Sequence, residues 1–166
     1  MLAPTREHQS VQTAPDFLLE DQTGQPVHLA ELLGAGPIVL IFYRGHWCPY
    51  CRRYLAKIQE HLPQLTLPDA RLLAISPEPA TSSRALADQL QLTFSLLSDY
   101  SGHAIRSYGV RNAFLGHASI LPHPAVFVLD GEGAIRFRSI DRNFKKRTTV
   151  RAILRALDTL RGDAHR

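Results

Sequence analysis

The chain has 166 residues, 45% hydrophobic and 20% charged, which suits one soluble domain built on a single core and excludes a disordered chain. No apolar run approaches the roughly 18 residues of a membrane helix, and Met1–Ser10 lacks the apolar core of a secretory signal; we expect a cytoplasmic protein with no membrane partner. The formal net charge is +4, and the basic residues gathered between Arg136 and Arg155 carry no nucleic-acid-binding motif, so they read as a solvated face and no nucleic-acid partner is expected.

Residues 1–13 read as a flexible arm, 14–161 as one domain and 162–166 as a tail. Asp16 to Leu29, turning at Gly24, reads as a β-hairpin, followed by a helical turn over Ala30–Leu33. Ile38–Tyr43 is a near-continuous apolar run, the pattern of a strand buried on both faces. From Cys48 onward Tyr54, Leu55, Ile58 and Leu62 recur at helical spacing, with Pro63 as the expected stop. Arg71–Ser76 is a second buried strand, Ser82–Leu90 a helix, Phe94–Asp99 a short extended segment and His103–Tyr108 a short helix closed by Gly109. Residues 111–123 read as a loop. Ala125–Asp130 is a third core strand. In Ala134–Ile140 the side chains of Ile135, Phe137 and Ser139 alternate with Arg136 and Arg138, as on a half-exposed edge strand. Thr148 or Thr149 caps a last helix that buries Val150, Ile153, Leu154 and Leu157. Strands alternating with helices predict an α/β fold with a central mixed β-sheet flanked by helices.

The only cysteines, Cys48 and Cys51, stand in Trp47-Cys48-Pro49-Tyr50-Cys51, where the first core strand gives way to a helix. Open α/β sheets place their sites at such carboxyl ends of strands. Side chains three apart on a helix share a face, about 5–6 Å between Cβ atoms, within reach of a disulfide. Unpaired N–H groups at a helix start favour a negative sulfur. Pro49 presets the helical φ, and Arg44, His46, Arg52 and Arg53 add positive potential that lowers a thiol pKa. The pattern predicts a dithiol that attacks an oxidised partner, closes a Cys48–Cys51 disulfide and is reopened by an external dithiol. Steric position favours Cys48, nearest the expected exposed tip, as the attacking thiol, with Cys51 resolving. Trp47 is expected half-buried beside the thiols. Pro124, before the third core strand, would hold a backbone edge against an incoming chain if it lay opposite them. Asp99, Asp130 and Asp141 read as turn or cap residues. A bound zinc would need four ligands, of which Cys48, Cys51 and His46 supply three; no metal and no cofactor is expected.

These residues resemble the peroxiredoxin-like branch of the alkyl hydroperoxide reductase/thiol-specific antioxidant family, which has a thioredoxin-like fold. The resemblance runs through Ala14–Leu19, Phe42–Arg52, Ala74–Pro77, Phe94–Asp99, Tyr108–Val110 and Pro124–Asp130. It implies an antioxidant oxidoreductase that reduces hydroperoxides, protein disulfides or both, with a thioredoxin-type protein or glutathione as reductant, and often a homodimer. Family members follow the Phe-Tyr strand with Pro-x-x-x-Thr-x-x-Cys, the last Cys being peroxidatic. On this chain the pattern sets Arg44 at the proline, Cys48 at the threonine and Cys51 at the peroxidatic cysteine, and the family's later arginine falls on Pro124. Arg44 is then the candidate to replace that arginine. The overlay names Cys51 as the attacking thiol where sterics name Cys48, and the order stays open. Glutaredoxins also carry Cys-Pro-Tyr-Cys but lack the N-terminal hairpin. A non-enzymatic redox sensor or binding module is the alternative from a different class.

Overall fold

A computed structural model describes residues 11–66 and 69–164. Strands β1 (Leu18–Glu20) and β2 (Pro26–His28) form the hairpin, and α1 (Leu29–Leu32) follows it directly. Then come β3 (Ile38–Phe42), α2 (Pro49–Glu60), α3 (Leu62–Thr66), β4 (Arg71–Ser76), α4 (Ala80–Leu90) and β5 (Ser95–Ser98). The chain ends with α5 (His103–Ser107), β6 (Ala125–Leu129), β7 (Ile135–Ile140) and α6 (Val150–Ala164). Seven strands make one mixed sheet in the order β2-β1-β5-β4-β3-β6-β7. The central β3 runs parallel to β4 and antiparallel to β6, while β7 forms an edge with alternating exposure.

Alternation along β3 divides the core in two, because successive side chains of a strand point to opposite faces. Val39, Ile41 and Tyr43 join a cluster with Cys48, Cys51 and Leu55 of the α2 region and Ile153 and Leu157 of α6. Ile38, Leu40 and Phe42 join the opposite cluster, where Phe42, Tyr108 and Phe127 pack ring against ring at 5.2–5.7 Å between centroids. The Tyr108 hydroxyl donates to the Pro15 carbonyl at 2.8 Å, tying α5 to the segment before the hairpin. Asp99 caps α5 by accepting the Ile105 N–H, Asp130 shapes the β6–β7 turn, and Thr149 accepts the Ala152 N–H at the start of α6.

Three expectations change. Pro63 does not end helical structure; it occupies the first turn of α3, where a missing N–H costs nothing. The end of the expected arm is paired: Thr13 bridges to Ala134, and Ile135 donates its N–H to the Gln12 carbonyl at 2.8 Å, while residues 1–10 lie outside the described residues. Helix α6 continues to Ala164, past the expected domain end at 161; residues 165–166 of the tail lie outside the described residues. Residues 111–123 are a loop, as expected, with one 3-10 turn over Ala113–Leu115 where Asn112 accepts the Phe114 N–H.

Candidate active site

The β3 strand ends at Phe42 and α2 begins at Pro49, with Cys48 as its N-cap residue in extended conformation. Pro49 fits the first helical position because its fixed φ is helical and its absent N–H would have had no partner there. Cys48 makes no capping hydrogen bond of ordinary geometry. Its sulfur instead faces the amide groups of Tyr50 and Cys51, the Cys51 sulfur and the Arg44 guanidinium. Cys51 follows one turn in, on the core side of α2. Both cysteines are free thiols.

The expected exposed tip is absent. Cys48 is 1% exposed and Cys51 0%. Arg44, which contacts Cys48, stands in a cluster with Trp47, Tyr50 and Phe144 at this end of α2. The Arg44 guanidinium carbon sits 4.9 Å from the centre of the Trp47 ring and 4.9 Å from that of Phe144, so two aromatic rings hold the cation. Phe144 meets Tyr50 edge-on at 5.7 Å, and Arg53 lies over the other partner of that pair, Tyr50, at 5.1 Å. Trp47 is 50% and Phe144 42% exposed, so the outer faces of this stack meet solvent. A cleft of about 610 Å³ lies elsewhere, lined by Leu18, Pro79 and Tyr100 among others, and touches neither cysteine.

One guanidinium attends each sulfur. Arg44 Nη1 donates to Cys48 Sγ at 3.9 Å, and Arg147 Nη2 donates to Cys51 Sγ at 3.2 Å. Burial alone would push both thiols up, and the two diverge from there. At Cys48 the burial effect is outweighed by the Cys51 amide, the Cys51 thiol, the Tyr50 amide and the Arg44 charge, which hold the thiol below its ordinary range. At Cys51 burial wins over the Arg44 amide and the Arg147 charge, and a negative Cys48 beside it adds to the rise. Of the two thiols, Cys48 is therefore the one that gives up its proton more readily.

His46 does not touch a sulfur. Its backbone N–H donates to Glu78 Oε2 at 3.0 Å and its ring Nδ1 pairs with Glu78 Oε1. Glu78 is buried just past β4, so this pair pins the β3–α2 loop to the neighbouring strand end. Arg52 reinforces the loop by donating to the His46 carbonyl at 3.1 Å. Pro124 is buried at the start of β6, whose first residue, Ala125, pairs with Phe42 at the cysteine end of β3. The backbone around it is already engaged: His123 donates its N–H to the Val110 carbonyl, and the Pro124 carbonyl accepts the Asp141 N–H. No group of three or more His, Cys, Asp or Glu able to hold a metal occurs among the described residues. No helix among them is long and apolar enough to cross a membrane.

Sequence reading missed three contributors. Glu78 gives no local signal, and Phe144 and Arg147 come from the segment 141–149 between β7 and α6, 96 residues beyond Cys51 in the case of Arg147. Arg147 belonged to a basic cluster read as solvated; its guanidinium is instead partly buried against a sulfur.

Comparison with known proteins gives a consistent picture. The family model described as AhpC/TSA family matches residues 11–138. Alkyl hydroperoxide reductase E of Mycobacterium tuberculosis is 38% identical over 127 residues, covering 75% of this chain and 80% of that protein. A chloroplastic peroxiredoxin Q from Sedum lineare is 28% identical over 149 residues, 90% of this chain and 77% of that protein. The crystal structure of peroxidoxin BcpB from M. tuberculosis superposes with a TM-score of 0.77 at 28% identity, covering 92% of this chain and 96% of that one. Enterococcus faecalis AhpC shares the fold, with a TM-score of 0.83 at 22% identity over 93% of each chain.

Proposed function

The chain belongs to the AhpC/TSA family, and from that premise we propose that it is a thiol-dependent peroxidase that reduces hydroperoxides by cycling Cys48 and Cys51 between dithiol and disulfide. The observation that carries the assignment of roles is the N-cap position of Cys48, where helix amides and Arg44 favour its thiolate. Cys48 attacks the terminal oxygen of the hydroperoxide. The O–O bond breaks, Cys48 becomes a sulfenic acid, and the leaving alkoxide takes up a proton. Arg44 stands beside the reacting sulfur with its guanidinium already oriented by two aromatic rings, so it meets the developing negative charge without reorganisation. Cys51 then attacks Cys48, forming the disulfide and releasing water.

The remaining residues serve this step indirectly. His46 and Glu78 fix the loop that carries Cys48. Trp47 shields the thiolate from bulk water on its outer side. Pro124 shapes the neighbouring strand end without presenting a free amide. An external thiol reductant, a thioredoxin-type dithiol protein or two molecules of glutathione, reopens the disulfide, taking up the oxidation as its own disulfide, and must pass the aromatic residues around Arg44 to reach it. Catalytic consumption of hydroperoxide in the presence of a dithiol reductant tests this reading. Many turnovers by wild type and none by Cys48→Ser support it, whereas a single stoichiometric oxidation followed by arrest would mark a sensor.

A further inference from the structure

Arg147 reaches the sulfur that the first chemical step does not use. It lies on the strap 141–149, outside the stretch 11–138 that the family model matches. Its side chain is held from several directions. Nη1 donates to the carbonyls of Phe144 and of Lys146, the latter at 2.8 Å, while Nη2 donates to Cys51 Sγ at 3.2 Å. Its Nε is buried and has no partner among the described residues. A buried Nε left without a partner on an otherwise hydrogen-bonded guanidinium is an uncommon arrangement. The strap itself is anchored on both sides of Arg147. Phe144 stacks on Arg44, and the Thr148 carbonyl accepts the Tyr54 hydroxyl at 2.7 Å.

We propose that Arg147 is the positioning residue for the second half of the cycle, holding the Cys51 sulfur toward Cys48 and sharing its negative charge as it attacks the oxidised partner. This rests on the reading that Cys48 is oxidised first. In that step Cys51 loses its proton, which the departing oxygen takes up, and its thiolate attacks the sulfur of the Cys48 sulfenic acid. The S–S bond forms, the S–O bond breaks, and hydroxide leaves to become water. The two electrons were already removed by the hydroperoxide, so no further oxidant is needed. The step needs a thiolate at Cys51, the sulfur whose ionisation burial disfavours and which Arg147 Nη2 contacts at 3.2 Å. The groups facing Cys51 are the Tyr43 hydroxyl, the Arg44 amide and the Cys48 sulfur from the segment between β3 and α2, and Arg147 from the strap. With Cys48 oxidised its negative charge is gone, and Arg147 is the facing group with a full positive charge that contacts the sulfur.

Trp47, the only tryptophan, lies against the Arg44 that contacts Cys48 and is expected to report both steps by fluorescence. Stopped-flow mixing of the reduced protein with hydrogen peroxide separates a peroxide-dependent first phase from a peroxide-independent closing phase. Arg147→Met is expected to slow the closing phase about 10- to 100-fold, the effect of losing one charge-assisted hydrogen bond, and to leave the first phase within about twofold. Arg147→Lys restores part of the rate, and the pH midpoint of closing moves upward in both variants. A dimedone adduct accumulates on Cys48. An unchanged closing phase in Arg147→Met overturns the proposal, and so does slowing confined to the first phase. Alkylation of Cys51 in a Cys48→Ser background reads the same contact without peroxide. Its pH midpoint rises when Arg147 becomes Met or Lys, more for Met; an unmoved midpoint rejects the proposal whatever the peroxide reaction does. A wild type inert to peroxide would instead reject the peroxidase reading.

Discussion

Glu78 accepts the His46 backbone N–H at 3.0 Å and also pairs with the His46 ring, so one buried carboxylate holds the loop that delivers Cys48 to the helix start. Removing it strands a loop amide and loosens the geometry on which the thiolate depends. Glu78→Ala is expected to lower stability by about 1–3 kcal/mol and to slow the reaction of Cys48 with peroxide. Denaturant unfolding and stopped-flow rates check the two effects together. Retained stability with an unchanged rate would deny the pair its role. Crowding at the same loop predicts a further consequence at Gly45, where a Cβ would lie 2.5 Å from Trp47 Nε1 and 2.9 Å from Glu78 Oε1. Gly45→Ala must displace one of them and slow the same reaction.

The two thiols titrate in opposite directions, which fixes the sign of a pH effect. Cys48 is held below the ordinary thiol range, so between its own pKa and the ordinary value the unfolded chain binds the extra proton. Its contribution to stability is present above the ordinary value and is lost as pH falls through its folded pKa. Cys51 is raised, so its contribution is lost as pH rises above the ordinary value. Reduced wild type minus Cys48→Ser, followed by unfolding across pH, should gain stability with pH through the window below the ordinary thiol value. Alkylation of Cys48 should titrate in that same window, and Arg44→Leu should move the midpoint up.

The Arg44 cluster predicts how reagents of different size behave. Phe144→Ala removes one face of the Arg44 stack and the edge contact to Tyr50. Its stability cost is small, about 0.5–1.5 kcal/mol for the aromatic contact. Its effect on access is large, because Cys48 is 1% exposed beside this cluster. A bulky aromatic disulfide reagent should react severalfold faster with Phe144→Ala than with wild type. Equal rates would mean the strap does not limit access.

Two positions far from the sulfurs calibrate the fold itself. Gln91 ends α4 in the left-handed region at φ 53°, where a side chain is disfavoured. Gln91→Gly should raise the unfolding midpoint by up to about 1 kcal/mol in stability with peroxidase activity unchanged. Phe127→Ala opens the aromatic cluster on the opposite face of the sheet and should cost about 3–5 kcal/mol.

Much of this molecule is written locally. The apolar run of β3, the stripe Tyr54, Leu55, Ile58 on α2 and the alternation along β7 each follow from a period that a few residues carry. The placement of Cys48 and Cys51 at the start of α2 was legible for the same reason. The burial of Cys48 was not, because the cluster beside it includes Phe144, whose distance along the chain leaves no trace in any short pattern. Arg147 looked like one more member of a basic run, and only the packing of the strap on α2 through Tyr54 and Thr148 brings it to Cys51. Pro63 shows the converse error: a proline reads as a stop by its own chemistry, but the chain turned first, at His61, and the proline sits in the opening turn of α3.

The most direct test is to locate the first oxygen. Reduced Cys51→Ser and Cys48→Ser are each treated with one equivalent of hydrogen peroxide in the presence of dimedone, and the adduct is mapped by peptide mass spectrometry. A rapid adduct is expected on Cys48 in Cys51→Ser and a slow or absent one on Cys51 in Cys48→Ser. A fast adduct on Cys51 with an unreactive Cys48 would contradict the assignment of Cys48 as the attacking thiol.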